Sequence, residues 1–252
     1  MSSAEDEKEL TLIDHLIELR DRILKSMVAI VVLFLALFAF SNDIYTYVAE
    51  PLINALPEGS SMIAIDPTSP FFAPFKLTFY ASFLLAAPYI LYQLWSFIAP
   101  GLYKNEKEVA IPLFISSVIL FYAGILFARY ILFGFVFAFF VSVAPEGIIV
   151  TPDINSFLSF ALTIFLAFGF AFEIPIAVFL SIWAGLAEPE SLAEKRPYVI
   201  VGCFVIAMFL TPADPFTQSI LAIPMWFLFE LGLLAGKKIR KREAEAESAA
   251  KS

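Results

Sequence analysis

The sequence predicts an all-α protein that crosses a membrane six times, with both termini on the cytoplasmic side. Three observations carry that reading. Of 252 residues, 60% are apolar and 29 are Phe, while only 16% are charged, against roughly 25% in an ordinary soluble domain. The apolar residues lie in unbroken runs long enough for a hydrocarbon core of about 30 Å. Lys and Arg are sorted between alternate loops, which sets the orientation. A water-soluble enzyme is excluded by the composition. The net charge of -8 argues against nucleic acid, because a phosphate-binding face needs an excess of basic residues.

The chain opens with a polar segment, residues 1–25, that carries no small-residue cleavage site and therefore reads as retained. Within it Leu12, Leu16, Leu19 and Ile23 recur at spacings of three and four, with Asp14, Glu18, Arg20, Asp21 and Arg22 on other faces. That pattern predicts an amphipathic helix lying on the membrane surface ahead of the first span. The membrane domain, residues 26–236, holds spans near Ser26–Tyr45, Phe75–Ile98, Val109–Ala128, Phe157–Leu186, Tyr198–Leu210 and Gln218–Ala235. A charged tail, residues 237–252, follows.

Fourteen of the 16 Lys and Arg fall in the termini and the loops after the second and fourth spans. Only Lys76 and Arg129 lie on the other side, where the loops carry Asp43, Glu50, Glu58, Asp66, Glu146, Asp153 and Asp214. The fourth run, at a rise of about 1.5 Å per residue, would extend roughly 45 Å and must tilt or project. The fifth is bounded by Pro197 and by Thr211-Pro212 and extends only about 20 Å, and the sixth is also short, which predicts a locally thinned bilayer. Residues 41–74 mix five prolines with Ile, Leu and Phe, an ordered outer cap in expectation, and Tyr130–Ala144 reads as helical. No internal repeat is visible, which weighs against a conventional secondary transporter.

Glu173 is the outstanding candidate site, an acid in the middle of an apolar run. A central ionisable group costs about 2.5 to 3.5 kcal/mol on insertion scales, so it marks a cavity, a proton site or a polar partner. A protonated acid hydrogen-bonded to a neighbouring helix is compatible with either role, since Pro175 frees a nearby carbonyl. Glu18, Glu106 and Glu108 lie on the cytoplasmic side, where carboxylates suit guanidinium groups through paired hydrogen bonds, although taken alone they also read as solvated loop charges. The Gly232 to Gly236 spacing reads as simple helix packing, and His15 as an interface residue. With one Cys, Cys203, and one His, no metal site, cofactor or disulfide is expected. No phosphate loop, Ser-His pair or carboxylate dyad is present, so the chain is not expected to be an enzyme.

Several stretches together resemble the TatC family, the polytopic subunit of the twin-arginine protein translocase. They are His-Leu-Ile-Glu-Leu-Arg at 15–20, Ser-Pro-Phe-Phe at 69–72, the run from Ala87 through Lys107, Phe-Glu-Ile-Pro at 172–175 and Thr-Pro-Ala-Asp-Pro-Phe-Thr-Gln at 211–218. The resemblance implies a concave six-helix receptor in the bacterial cytoplasmic (inner) membrane. It would bind twin-arginine signal peptides of folded cargo, assemble with the single-span subunits TatA and TatB in an oligomeric complex, and use the proton-motive force. It also implies residue roles: Glu18, Arg20, Phe97 and Glu106 at the signal-peptide site, Glu173 as the intramembrane acid, Pro51 and Phe71 in the outer cap, and Thr211, Asp214 and Gln218 at the outer turn where small subunits dock. Arg129 and Gly134 depart from the family pattern. The reading from a different class is a proton-coupled small-solute transporter using Glu173.

Overall fold

The structure, a computed structural model, describes residues 2–56, 61–98, 107–143, 145, 151–211 and 214–250. Among them the chain forms ten α-helices: α1 Ser2–Leu37, α2 Ser41–Ala55, α3 Ser69–Ile98, α4 Lys107–Phe127, α5 Phe133–Ser142, α6 Ile154–Ala171, α7 Ile174–Trp183, α8 Pro189–Glu194, α9 Arg196–Leu210 and α10 Pro215–Ala250. A 3-10 turn, Phe38–Phe40, joins α1 to α2, and a π-helical turn, Ala128–Leu132, joins α4 to α5. No strand is present among the described residues beyond one isolated bridge, Ile63 with Asp153. Five helical stretches are long and apolar enough to cross a membrane, and α9 is apolar but shorter. The all-helical class predicted from the sequence is the one observed, with several helical stretches long and apolar enough to cross a membrane.

Several boundaries differ from expectation for local reasons. The amphipathic stretch is not a separate surface helix, because α1 runs through it as one 36-residue element. No Gly or Pro occurs between Ser2 and Leu37, so nothing interrupts the hydrogen-bond ladder. Helix α3 starts at Ser69, six residues before the expected span, where Asp66 accepts from the Thr68 backbone in a turn that presents Pro70 as the first-turn residue. The apolar stretch Gln218–Ala235 lies inside the 36-residue α10, which continues through the basic segment because Lys, Arg, Glu and Ala all favour helix. The helix therefore outruns the short span. The long fourth run is instead divided at Phe172 and Glu173, since Pro175 cannot donate to the carbonyl four residues back. Helix α9 keeps the predicted brackets, with Pro197 in its first turn and its end at Leu210.

The chain divides into two compact units, Met1–Tyr45 with Pro74–Val118, and Thr46–Ala73 with Ile119–Ser252. In the first, Phe34 packs edge-on against Phe75 and Phe79, and Phe38 against Phe75. Thr78 and Ser82 are fully buried in α3 and donate to the Pro74 and Thr78 carbonyls, so their hydroxyls are satisfied within their own helix.

In the second unit the core is aromatic. Phe121, Phe133 and Phe168 are buried, and Phe133 lies 5.0 Å from Phe165, centroid to centroid. Helix α10 packs on α7, α8 and α9, with Val178, Ile182, Phe229 and Leu233 forming a buried cluster between α7 and α10. Gly232 makes that approach possible: a Cβ there would sit 2.7 Å from the Pro175 Cα. The segments that precede α3 and α6 are joined by Ile63 donating to Pro152 and Ile154 donating back to Ile63.

Candidate functional site

The first apolar run is preceded on α1 by His15, Glu18 and Arg22. Their spacing of three and four puts them on one helical face. Arg22 donates from Nε and Nη2 to the same Glu18 oxygen, Oε1, at 3.1 and 2.5 Å. It reaches further, donating from Nη2 to the Ser96 carbonyl at 3.0 Å and from Nη1 to Gln93 at 3.4 Å. Ser96 lies in the last turn of α3, where carbonyls have no partner within the helix, so Arg22 serves as a cationic C-terminal cap. Its side chain is 20% exposed against 38% for Glu18. The other Glu18 oxygen faces His15 Nδ1 at 3.7 Å, and the His15 ring stacks on Phe97 at 4.2 Å between centroids.

The Glu18 carboxyl, in the polar segment ahead of the apolar run, is held below its ordinary pKa by the Arg22 hydrogen bonds first, against an opposing desolvation effect. It is thus an ionised, oriented acceptor. Beside it runs an apolar groove of about 280 Å³ between α1 and α3, lined by Leu19, Ile23, Met27, Phe83, Ile90 and Phe97, with Arg22 and Gln93 also on its wall.

Of the predicted recognition residues, Glu18 and Phe97 are brought together around His15. Arg20 is not part of the cluster: its side chain is 65% exposed and pairs with neighbouring Asp21. Glu106 lies outside the described residues. Sequence reasoning missed Arg22 and Gln93 as site residues. The four-residue offset between Glu18 and Arg22 was a usable signal, whereas the contact with α3 joins residues 71 to 74 positions apart and left no local trace.

Glu173 stands at the break between α6 and α7, half-buried, with its backbone carbonyl accepting from Ala177 at 2.9 Å. Pro51 is inside α2, and Phe71 in the first turn of α3 is exposed. At the end of α9, buried Thr211 donates to the Ala207 carbonyl at 2.9 Å and closes the helix. Asp214 accepts from the Thr217 backbone at 2.7 Å and from its hydroxyl, capping α10. Gln218, one turn on, is partly exposed.

Arg129, one of the two basic residues on the predicted outer side, is almost buried in the π turn. Its Nη2 donates to Glu50 at 2.8 Å and to the Tyr47 carbonyl at 3.0 Å, and its guanidinium lies over the Tyr47 and Tyr130 rings.

Comparison with known proteins agrees with this picture. The family model described as Sec-independent protein translocase protein (TatC) matches residues 14–224. The chain is 53% identical over 244 residues to the Sec-independent protein translocase protein TatC of Azotobacter chroococcum mcd 1, covering 97% of this chain and 96% of that one. It is 52% identical over 245 residues to the TatC of Escherichia coli (strain K12), covering 96% and 94%. A solved structure described as the twin arginine translocase receptor TatC superposes with a TM-score of 0.80 at 37% identity, over 88% of this chain and 98% of that one. Sequence kinship across nearly the whole length and a shared fold thus lead to one conclusion: the chain belongs to the TatC family and is a multi-pass membrane subunit of the Sec-independent protein translocase.

Proposed function

We propose that this chain is the signal-peptide receptor and core subunit of a twin-arginine translocase, exporting folded proteins across the bacterial cytoplasmic (inner) membrane with both its termini in the cytoplasm. The observation that carries the receptor role is the ionised, oriented Glu18 carboxylate, bonded to Arg22 on the wall of the α1–α3 groove. A guanidinium finds there a charge-assisted acceptor, and the apolar stretch that follows the basic end of a signal peptide finds an apolar wall. That Glu18 already holds a guanidinium, Arg22, supports its fitness for one. The name of the solved relative, a translocase receptor, points the same way.

Glu18 and Glu106 are the proposed acceptors for the two arginines, with Phe97 beside Glu18 and with Arg20, outside that cluster and paired with Asp21, proposed to meet the peptide from the exposed side. Glu173 is the proposed intramembrane group that engages the inserted peptide, and Pro51 and Phe71 belong to the outer cap. Thr211 and Asp214 shape the turn beside Gln218, where the single-span subunits TatA and TatB are proposed to dock. The chain acts without enzymatic chemistry of its own, and transport draws on the proton-motive force.

Site-specific crosslinking tests the reading. A twin-arginine peptide carrying a photoreactive group is expected to label the segments around Glu18 and Glu106 and to lose that labelling when both arginines become lysine. Labelling elsewhere, or labelling indifferent to the lysine change, would refute it.

A further inference from the structure

Glu18 offers two oxygens, and the structure uses them unequally. Both Arg22 contacts with Glu18 fall on Oε1, while among the described residues Oε2 faces only His15, at 3.7 Å. An arginine that grips a carboxylate side-on needs both oxygens, because its two parallel N–H groups each require an acceptor. With Arg22 in place an incoming basic group can reach Oε2 end-on, a contact that lysine makes as well as arginine. The arrangement is more than an ordinary i,i+4 helix pair, since Arg22 is also anchored to the Ser96 and Gln93 carbonyls at the end of α3.

We propose that Arg22 is a specificity-determining residue: its guanidinium occupies Glu18 as the chain's own stand-in for a signal-peptide arginine, and a peptide gains the two-oxygen grip only by displacing it. The inference rests on the receptor reading of Glu18 above. Displacement favours arginine over lysine, because a compact ammonium replaces the fork of a guanidinium with a single contact. The displaced Arg22 is not stranded, since Gln93 and Ser96 still accept its hydrogen bonds. Arg22 therefore narrows the difference between the peptides, because lysine needs only the end-on contact to Oε2 while arginine must displace Arg22 for its second oxygen.

The test uses the full-length protein in lipid nanodiscs and two labelled signal peptides, one with Arg-Arg and one with Lys-Lys. Arg22→Gln is expected to raise Arg-Arg affinity about fivefold, the scale of one half-exposed charge-assisted contact, to raise Lys-Lys affinity by less, and so to widen the ratio between the peptides. Arg22→Lys, which keeps the charge and a donor for the α3 carbonyls, is expected to shift the ratio in the same direction by less. In a Glu18→Gln background, Arg22→Gln should change nothing, because Arg22 acts through Glu18. An unchanged ratio, or an equal loss of both peptides in both Arg22 variants, would overturn the proposal and leave Arg22 as a helix cap only. If Glu18→Gln alone leaves Arg-Arg binding intact, the receptor reading of Glu18 itself falls, an outcome separable from the first.

Discussion

Single residues in this protein show how an ionisable side chain is made tolerable in a largely apolar chain. Arg129 is 9% exposed, yet it has a carboxylate, a carbonyl and two aromatic faces for its guanidinium. Glu50 is 57% exposed, so screening discounts the pair. Arg129→Ala is therefore expected to cost about 1 to 3 kcal/mol, more through lost packing than through charge, read as a lower melting temperature in detergent.

Asp153 caps α6 by accepting from the Ser156 backbone and also accepts from Ile65, which holds its pKa below the ordinary 3.8. A carboxyl depressed in the folded state adds stability that is full above its unfolded pKa and is lost as pH falls through the folded one. Thermal melts of wild type should drop between about pH 5 and pH 3, and Asp153→Asn should flatten part of that drop. Glu173→Ala is expected to weaken transport while leaving peptide binding at the cytoplasmic face largely intact, which paired transport and binding assays measure. Equal loss of both would make Glu173 structural or part of the primary site.

At the scale of elements, close packing and helix continuity decide the outcome. Gly232 and Gly134 make the contrast clear. A Cβ at Gly232 would meet the Pro175 backbone, whereas one at Gly134 meets nothing within 4 Å. Gly232→Ala should force α7 from α10 and destabilise by about 1 to 3 kcal/mol, while Gly134→Ala should be neutral or stabilising by up to about 1 kcal/mol through helix propensity. Thermal melts of the two variants side by side check both signs. The Gly232–Gly236 spacing was legible as a packing motif, but its partner was not. A four-residue repeat says that one face of a helix is narrow, and only the fold says that Pro175 and Ile182 fill it. The break at Glu173 was half legible in the same way. Pro175 announced a disturbed hydrogen bond, and the structure showed that the helix is interrupted there, at Phe172 and Glu173.

For the whole molecule, the uneven span lengths are the feature with the widest consequence. Helix α9 has 15 residues, about 22 Å at the α-helical rise, well under a hydrocarbon core of about 30 Å. Its ends carry the exposed side chains of Tyr198 and Phe209. The expectation is a bilayer thinned beside α9. Spin labels placed singly at positions 198 and 209 in nanodiscs should both report water contact, and hydrocarbon depth at both would exclude thinning.

The sequence by itself determined the class, the number of apolar stretches, the short fifth helix and the sorting of basic residues. These signals are local: run length, helix propensity, prolines and charges are read within a window of a few turns. Within the candidate site it singled out Glu18 but not Arg22, although a four-residue offset is a property of one helix. Only the tertiary structure decided that Arg22 caps α3 at Ser96, that His15 stacks on Phe97, that Arg129 finds Glu50, and that Ile63 pairs with Pro152 and Ile154. Each of those contacts joins residues more than 70 positions apart, and such partners are set by which faces pack together, a property that no window along the chain contains.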